Sequence, residues 1–217
     1  MGEEGRLHVP TLSEAPTLQY GPSALLDTLV RAADRRVGIY SGLVTDAVTA
    51  LARDGRLRAP AVTGYLWGGD GLDDMARDGA LRLAAVDETH DVSRIAAIPQ
   101  FVACNTALQM GLDCSVSAER IRTRAGDEVV GGIAGHPDFA RGAAAGFDAR
   151  SVIAMRASHR GRSNVVPFSE LPTVTTARTD VDLVVTEHGV ADVRGRTDAE
   201  RARLLRDIAP DGDEGES

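Results

Sequence analysis

Short β-branched runs alternate with helix-patterned stretches along most of this chain, a rhythm that points to βα units built round a largely parallel sheet. Ser23 is placed to cap a helix whose Leu25, Leu26, Leu29 and Val30 line one face, and Val37-Gly-Ile-Tyr40 follows as a short buried strand. A second helix is expected from Thr45 to about Arg53, a strand from Leu81 to Val86, a short helix from Val92 to Ile98 and a buried strand from Phe101 to Leu108. Asp138 to Ala145 and Asp198 to Ile208 carry helical patterns, the second rich in good helix formers. Ser151-Val-Ile-Ala-Met155 and Val181-Asp-Leu-Val-Val-Thr186 are the clearest strands. The predicted fold class is therefore α/β, an open, mostly parallel sheet flanked by helices. Its 217 residues suffice for one well-buried domain, assigned to residues 16–209, between a flexible N-terminus (1–15) and a disordered acidic tail (210–217).

Composition removes several classes of function. All 24 basic residues are arginine, so Schiff-base and Walker-lysine chemistry is excluded. A net charge of −8 offers no basic field for nucleic acid, whose binding rests on clustered cations that neutralise phosphates. Cys104 and Cys114 have neither CxxC spacing nor a nearby histidine pair, so neither a disulfide framework nor a metal site is expected. No apolar run approaches the ~18 residues of a membrane span, and the opening Met-Gly-Glu-Glu-Gly-Arg is unlike a signal peptide. A soluble cytoplasmic protein is expected.

Four stretches are candidates for chemistry. Gly131-Gly-Ile-Ala-Gly-His-Pro-Asp-Phe139 lies between a strand and a helix; it is either a plain tight turn or a loop whose N–H groups meet an anion or a thioester oxygen. Glu187 leaves a strand just before Gly189, at the sheet end where open α/β folds place ligands; a capping or salt-bridging role with Arg194 or Arg196 is the plainer alternative. Asn105 at a strand end is either a turn former or a hydrogen-bond donor to a developing oxyanion. The basic loop Arg156-Ala-Ser-His-Arg-Gly-Arg162-Ser163 is either a solvated hairpin tip or a phosphate contact. Tyr65-Leu-Trp67 reads as core aromatics beside a turn, with a lid or an adenine shelf as the alternative. The five histidines lack metal-ligand spacing and read as surface or capping groups, with His188 singled out because it adjoins Glu187.

The run Thr175-Thr-Ala-Arg-Thr-Asp-Val-Asp-Leu-Val-Val-Thr-Glu-His-Gly-Val-Ala-Asp-Val-Arg-Gly195 resembles the C-terminal signature of the acetyl-CoA hydrolase and CoA-transferase family, which includes 4-hydroxybutyrate and succinyl-CoA:acetate CoA-transferases. The resemblance extends from about Leu18 to Ile208, through Val37-Gly-Ile-Tyr-Ser41, Thr89-His-Asp91, Asn105 and the glycine loop. It implies a CoA-transferase-like (NagB/RpiA-like) domain acting on acyl-CoA and a small carboxylate or water, with coenzyme A entering as substrate and no metal. It also implies Glu187 and Asn105 as catalytic residues, Gly131, Gly132, Ala134 and Gly135 as an oxyanion or carboxylate cradle, and Arg160, Arg162 and Ser163 as CoA contacts. Relatives carry an additional N-terminal CoA-transferase domain, so a separately encoded partner or self-association is expected. At the place of the family's covalent glutamate the chain reads Ser41-Gly42, and glycine cannot form an anhydride. The expectation is an acyl-CoA-processing subunit without the covalent step, or one whose nucleophile is supplied elsewhere. A catalytically inactive binding or regulatory subunit is the alternative.

Overall fold

The computed structural model describes residues 16–210, so the two segments expected to be flexible lie outside the described residues apart from Pro210. The chain enters through β1 (Thr17–Tyr20) and α1 (Ala24–Arg31), where the Ser23 hydroxyl accepts the Leu26 N–H at 3.2 Å. Then come β2 (Val37–Thr45) and α2 (Asp46–Arg53), the latter N-capped by Thr45. Next are β3 (Leu57–Trp67), α3 (Asp70–Arg77) and β4 (Leu81–Leu83), followed by the short helices α4 (Val86–Thr89) and α5 (Val92–Ala96). The chain then returns through β5 (Phe101–Thr106). Beyond β5 come β6 (Gln109–Gly111), β7 (Val116–Ser117) and the exposed hairpin of β8 (Arg120–Thr123) and β9 (Gly126–Val129). After α6 (His136–Ala145) and β10 (Arg150–Ala154), a tight hairpin pairs β11 (Ser158–His159) with β12 (Arg162–Ser163). The chain closes with β13 (Val165–Val166), β14 (Leu183–Thr186), β15 (Gly189–Asp192) and α7 (Asp198–Asp207).

Eight strands form the main sheet in the order β15-β14-β10-β5-β1-β2-β3-β4, parallel at every pairing except β14–β15. Strand order reverses at β1: the chain winds outward from it through β2, β3 and β4, then returns to its other side at β5 and winds away through β10 and β14. Apolar clusters fill the layers on both faces. Leu26, Val30, Val48, Leu51 and Leu72 pack α1, α2 and α3 against the β1–β4 half. Ile95, Phe101, Phe139 and Ala143 join α5 and α6 to β5. Gly142 lets α6 close on α5, because a Cβ there would run into the side chain of Ile95.

Several elements differ from the sequence expectation. β2 continues to Thr45 rather than ending at Tyr40, and β4 stops at Leu83 because α4 begins at Val86. The eleven-residue β3 is absent from the sequence expectation because Pro60 interrupts its pattern. Pro60 falls where the β2–β3 register shifts between Gly38 and Tyr40, so the missing N–H is tolerated. Tyr65 and Trp67 are not core aromatics: they stand 56% and 68% exposed on β3.

Candidate functional site

In open α/β sheets, ligands bind beyond the carboxyl ends of the strands where the winding reverses. Here that place is a cavity of about 590 Å³. Gln19 to Pro22 from the end of β1, Ser41 to Leu43 from β2, Asn105 and Thr106 from β5, and Gly131 to His136 before and at the start of α6 contribute to its wall. The fold thus joins three of the predicted groups, Gly42, Asn105 and the glycine loop, across more than ninety positions of sequence.

Asn105 is buried, and its Oδ1 accepts the Gln19 Nε2–H at 3.1 Å, which leaves its Nδ2 as a buried donor with no partner. A buried unpaired donor costs about 1–3 kcal/mol, and Gln19 Oε1 in the same amide pair is likewise without a partner. In the loop, the amides of Gly132, Ile133, Ala134 and Gly135 make no backbone hydrogen bond among the described residues, and Pro137 has no N–H to offer. Ala134 holds φ +48°, a left-handed conformation that costs an L-residue roughly 1–2 kcal/mol. The glycines at 131 and 132 face open space rather than a packed neighbour.

Two histidines line this cavity, contrary to the reading of all five as surface or capping groups. His136 is buried, with Nδ1 2.6 Å from Thr176 Oγ1 and Nε2 3.1 Å from the Thr106 carbonyl. The carbonyl only accepts, so Nε2 carries the proton and Nδ1 accepts from the threonine hydroxyl. Burial pushes the imidazole down to about 4 from its usual 6.5, and the Thr106 carbonyl only partly opposes this. The folded protein therefore binds fewer protons than the unfolded chain between these values. The associated stability is fully present above pH 6.5 and is lost as pH falls towards 4. Thermal midpoints measured from pH 7 to 4 are expected to fall more steeply in the wild type than in His136→Gln; parallel curves would show that the ring is not held neutral.

His90, the second, is partly buried. Its Nδ1 lies 2.8 Å from Thr89 Oγ1, and its ring stands edge-on to Phe139 at a centroid distance of 5.0 Å. Two carboxylates that could be considered in the glutamate's stead are engaged elsewhere: Asp46 accepts the Gly69 N–H at 3.0 Å, and Glu88 pairs with Arg82 at 2.6 Å.

Glu187, Arg160, Arg162 and Ser163 are not part of this wall. A second cavity of about 820 Å³ is lined by Ala107 to Gln109, Ile121 to Arg124, Arg156 and residues 159–164. The β11–β12 hairpin supplies Arg160 and Gly161 at its tip with φ +50° and +74°, the positive pair that a two-residue hairpin turn requires. Glu187, exposed at the end of β14, accepts the Ala157 N–H at 2.9 Å and so braces the base of that hairpin. Neither Arg194 nor Arg196 pairs with it among the described residues. Burial raises its carboxyl, but the Ala157 amide, its own amide, His188 and Arg156 outweigh that and hold it below the usual value. The two cavities adjoin along the chain: Thr106 and Gly131 line the first, Ala107 and Val130 the second. Among the described residues no His, Cys, Asp or Glu cluster of three could hold a metal ion, and no helix is long and apolar enough to cross a membrane.

A parallel sheet with a cavity at its switch point, an unpaired amide donor and an adjoining arginine-lined groove defines an α/β domain of the CoA-transferase type. Residues 72–213 match the acetyl-CoA hydrolase/transferase C-terminal domain, and the chain belongs to that family. It is 30% identical over 212 residues to the 4-hydroxybutyrate coenzyme A transferase of Clostridium kluyveri, covering 91% of this chain and 48% of that protein. Among solved structures it resembles 4-hydroxybutyrate CoA-transferase from Porphyromonas gingivalis (TM-score 0.74, 28% identity, 91% of this chain and 49% of the other). RipA from Yersinia pestis is similar as well (TM-score 0.79, 25% identity, 91% and 47%). The chain spans about half the length of the curated relatives it matches.

Proposed function

We propose that this chain is the C-terminal-type half of an acyl-CoA-processing enzyme, of the hydrolase or CoA-transferase type, that works without a covalent glutamate. The observation that carries the reading is the unpartnered Asn105 Nδ2 in the switch-point cavity, opposite the free amides of the glycine loop. Such donors stabilise the oxyanion that forms when a thioester carbonyl is attacked, and they act more strongly there than on the neutral carbonyl. An acyl-CoA laid across the boundary between the two cavities would place its thioester at Asn105. Its phosphates would lie over Arg160, Arg162 and Ser163, where Arg160 and Arg162 make no ion pair among the described residues. Glu187 serves this arrangement as an orienting group that fixes the arginine hairpin.

An N-terminal-type CoA-transferase domain, on a separate subunit or supplied by self-association, would complete the site. Two observations support it: the half-length match to relatives, and the exposed apolar side chains of Tyr65, Val86, Val130 and Ile133 in the cavity walls. The untagged protein purified from its own host tests both parts. The expected result is an assembly larger than one chain that releases CoA thiol from acetyl-CoA or butyryl-CoA. Binding of acyl-CoA without turnover by that assembly would instead favour a catalytically inactive binding or regulatory subunit.

A further inference from the structure

We propose that His90 is the general base of this site, occupying the space that a side chain at position 42 would take, and that the reaction it supports is direct hydrolysis. This rests on the proposed acyl-CoA activity and goes further by naming the group that activates the attacking water. A Cβ built on Gly42 would lie 2.9 Å from His90 Nε2 and 3.0 Å from Cε1, and one on Gly135 would lie 2.5 Å from Nε2. The imidazole thus sits between the missing side chain and the glycine loop, with Phe139 against its edge. The absence of side chains at both glycines is what admits the ring.

In the tautomer that the proposal requires, the lone pair of His90 faces the cavity. The proton of the buried Thr89 hydroxyl is there assigned to the helix carbonyls of Ala85 and Val86, at 3.3 and 3.5 Å, so that its oxygen accepts from His90 Nδ1–H at 2.8 Å. Nε2 is then unprotonated and lies beside Gly42. An orienting partner on one ring nitrogen with a free lone pair on the other is the arrangement that a general base requires. The remaining titratable groups are differently disposed. Tyr20 and Tyr65 carry phenols, and Tyr20 is bonded to Thr45. His136 already uses both nitrogens. Asp91 caps α5, Glu88 is paired with arginine, and the Tyr40 hydroxyl donates to the Glu88 carbonyl. Among the described residues, Asp138 on α6 is the one carboxylate in the cavity wall.

In the step itself, a water oxygen bonds to the thioester carbonyl carbon as its proton passes to Nε2, and the carbonyl π pair becomes an oxyanion facing Asn105 Nδ2. Collapse re-forms the carbonyl and breaks the C–S bond, and the Nε2 proton goes to the departing CoA sulfur. The products are the carboxylic acid and free CoA thiol. No bond to the protein forms, so added acetate accepts no CoA.

The test uses the assembly as purified from its host, with acetyl-CoA and butyryl-CoA as probes. The wild type is expected to release CoA thiol, and labelled acetate is not expected to enter acyl-CoA. His90→Gln and His90→Ala are expected to lower kcat by about 10²–10⁴-fold and to retain acyl-CoA binding. Wild-type turnover that persists unchanged in folded His90 variants overturns the role of His90 alone. A wild type with no turnover overturns the proposed activity along with it. If neither variant folds, the wild type still decides: exchange of labelled acetate into acyl-CoA rejects the proposal.

Discussion

Replacing Asn105 by alanine is expected to lower acyl-CoA turnover by about 10²–10³-fold while leaving acyl-CoA binding within a few-fold of wild type. The argument starts from the pairing of its amide. Gln19 Nε2 donates to Asn105 Oδ1, which fixes the amide plane and leaves Nδ2 unpaired in the cavity wall. A donor held this way has little to gain from a neutral thioester carbonyl and much to gain from an oxyanion. Its removal should therefore appear in kcat and in kcat/KM alike rather than in KM. Asn105→Asp keeps the shape but puts an acceptor where a donor is needed, so it should be at least as damaging. Thiol-release kinetics beside an acyl-CoA binding isotherm check both; an alanine variant with normal kcat would remove Asn105 from the chemistry.

Phe139→Ala should be the most destabilising substitution near the site, by about 3–5 kcal/mol in the free energy of unfolding. The ring is 1% exposed and packs with Phe101 at 6.4 Å and edge-on to His90 at 5.0 Å, inside the cluster that joins α5 and α6 to β5. Truncation leaves a void between two helices whose backbones are already close at Gly142, so there is little freedom to collapse into it. His90 loses one wall of its slot at the same time, so turnover should also fall at temperatures where the variant stays folded. Urea unfolding of Phe139→Ala and Phe139→Leu measures the first effect. A loss under about 1 kcal/mol for the alanine variant would contradict the packing described.

Much of the fold could be read from local patterns. Ser23 caps α1 as its spacing suggested, Thr45 caps α2 instead of opening it, and the β-branched runs ending at Ala154 and Thr186 are parallel neighbours in the sheet. β1 was not recognised because four residues give too little periodicity, and β3 because Pro60 looks like a breaker until the register shift opposite it is known. Asn105, Gly42 and the glycine loop were identified as site candidates by resemblance, and they share one cavity. Glu187 was selected on the same grounds, yet it stands beneath the arginine hairpin, outside that wall. His90 and His136 were passed over because no spacing rule marks a lone histidine. Only the segment Thr89-His-Asp91 hinted at the first.

The sequence by itself determined the α/β class, the Ser23 cap of α1, the exclusion of lysine chemistry and the absence of a carboxylate at position 42, because these depend on residue identity and near-neighbour periodicity. The tertiary structure alone decided which residues meet. Strand order places the ends of β1, β2 and β5 side by side at the reversal, and parallel pairing across a long crossover cannot be inferred from neighbours in the chain. It also decided that two glycines ninety-three positions apart leave a slot of imidazole size, since a glycine's missing Cβ has meaning only once the atom that fills its place is known.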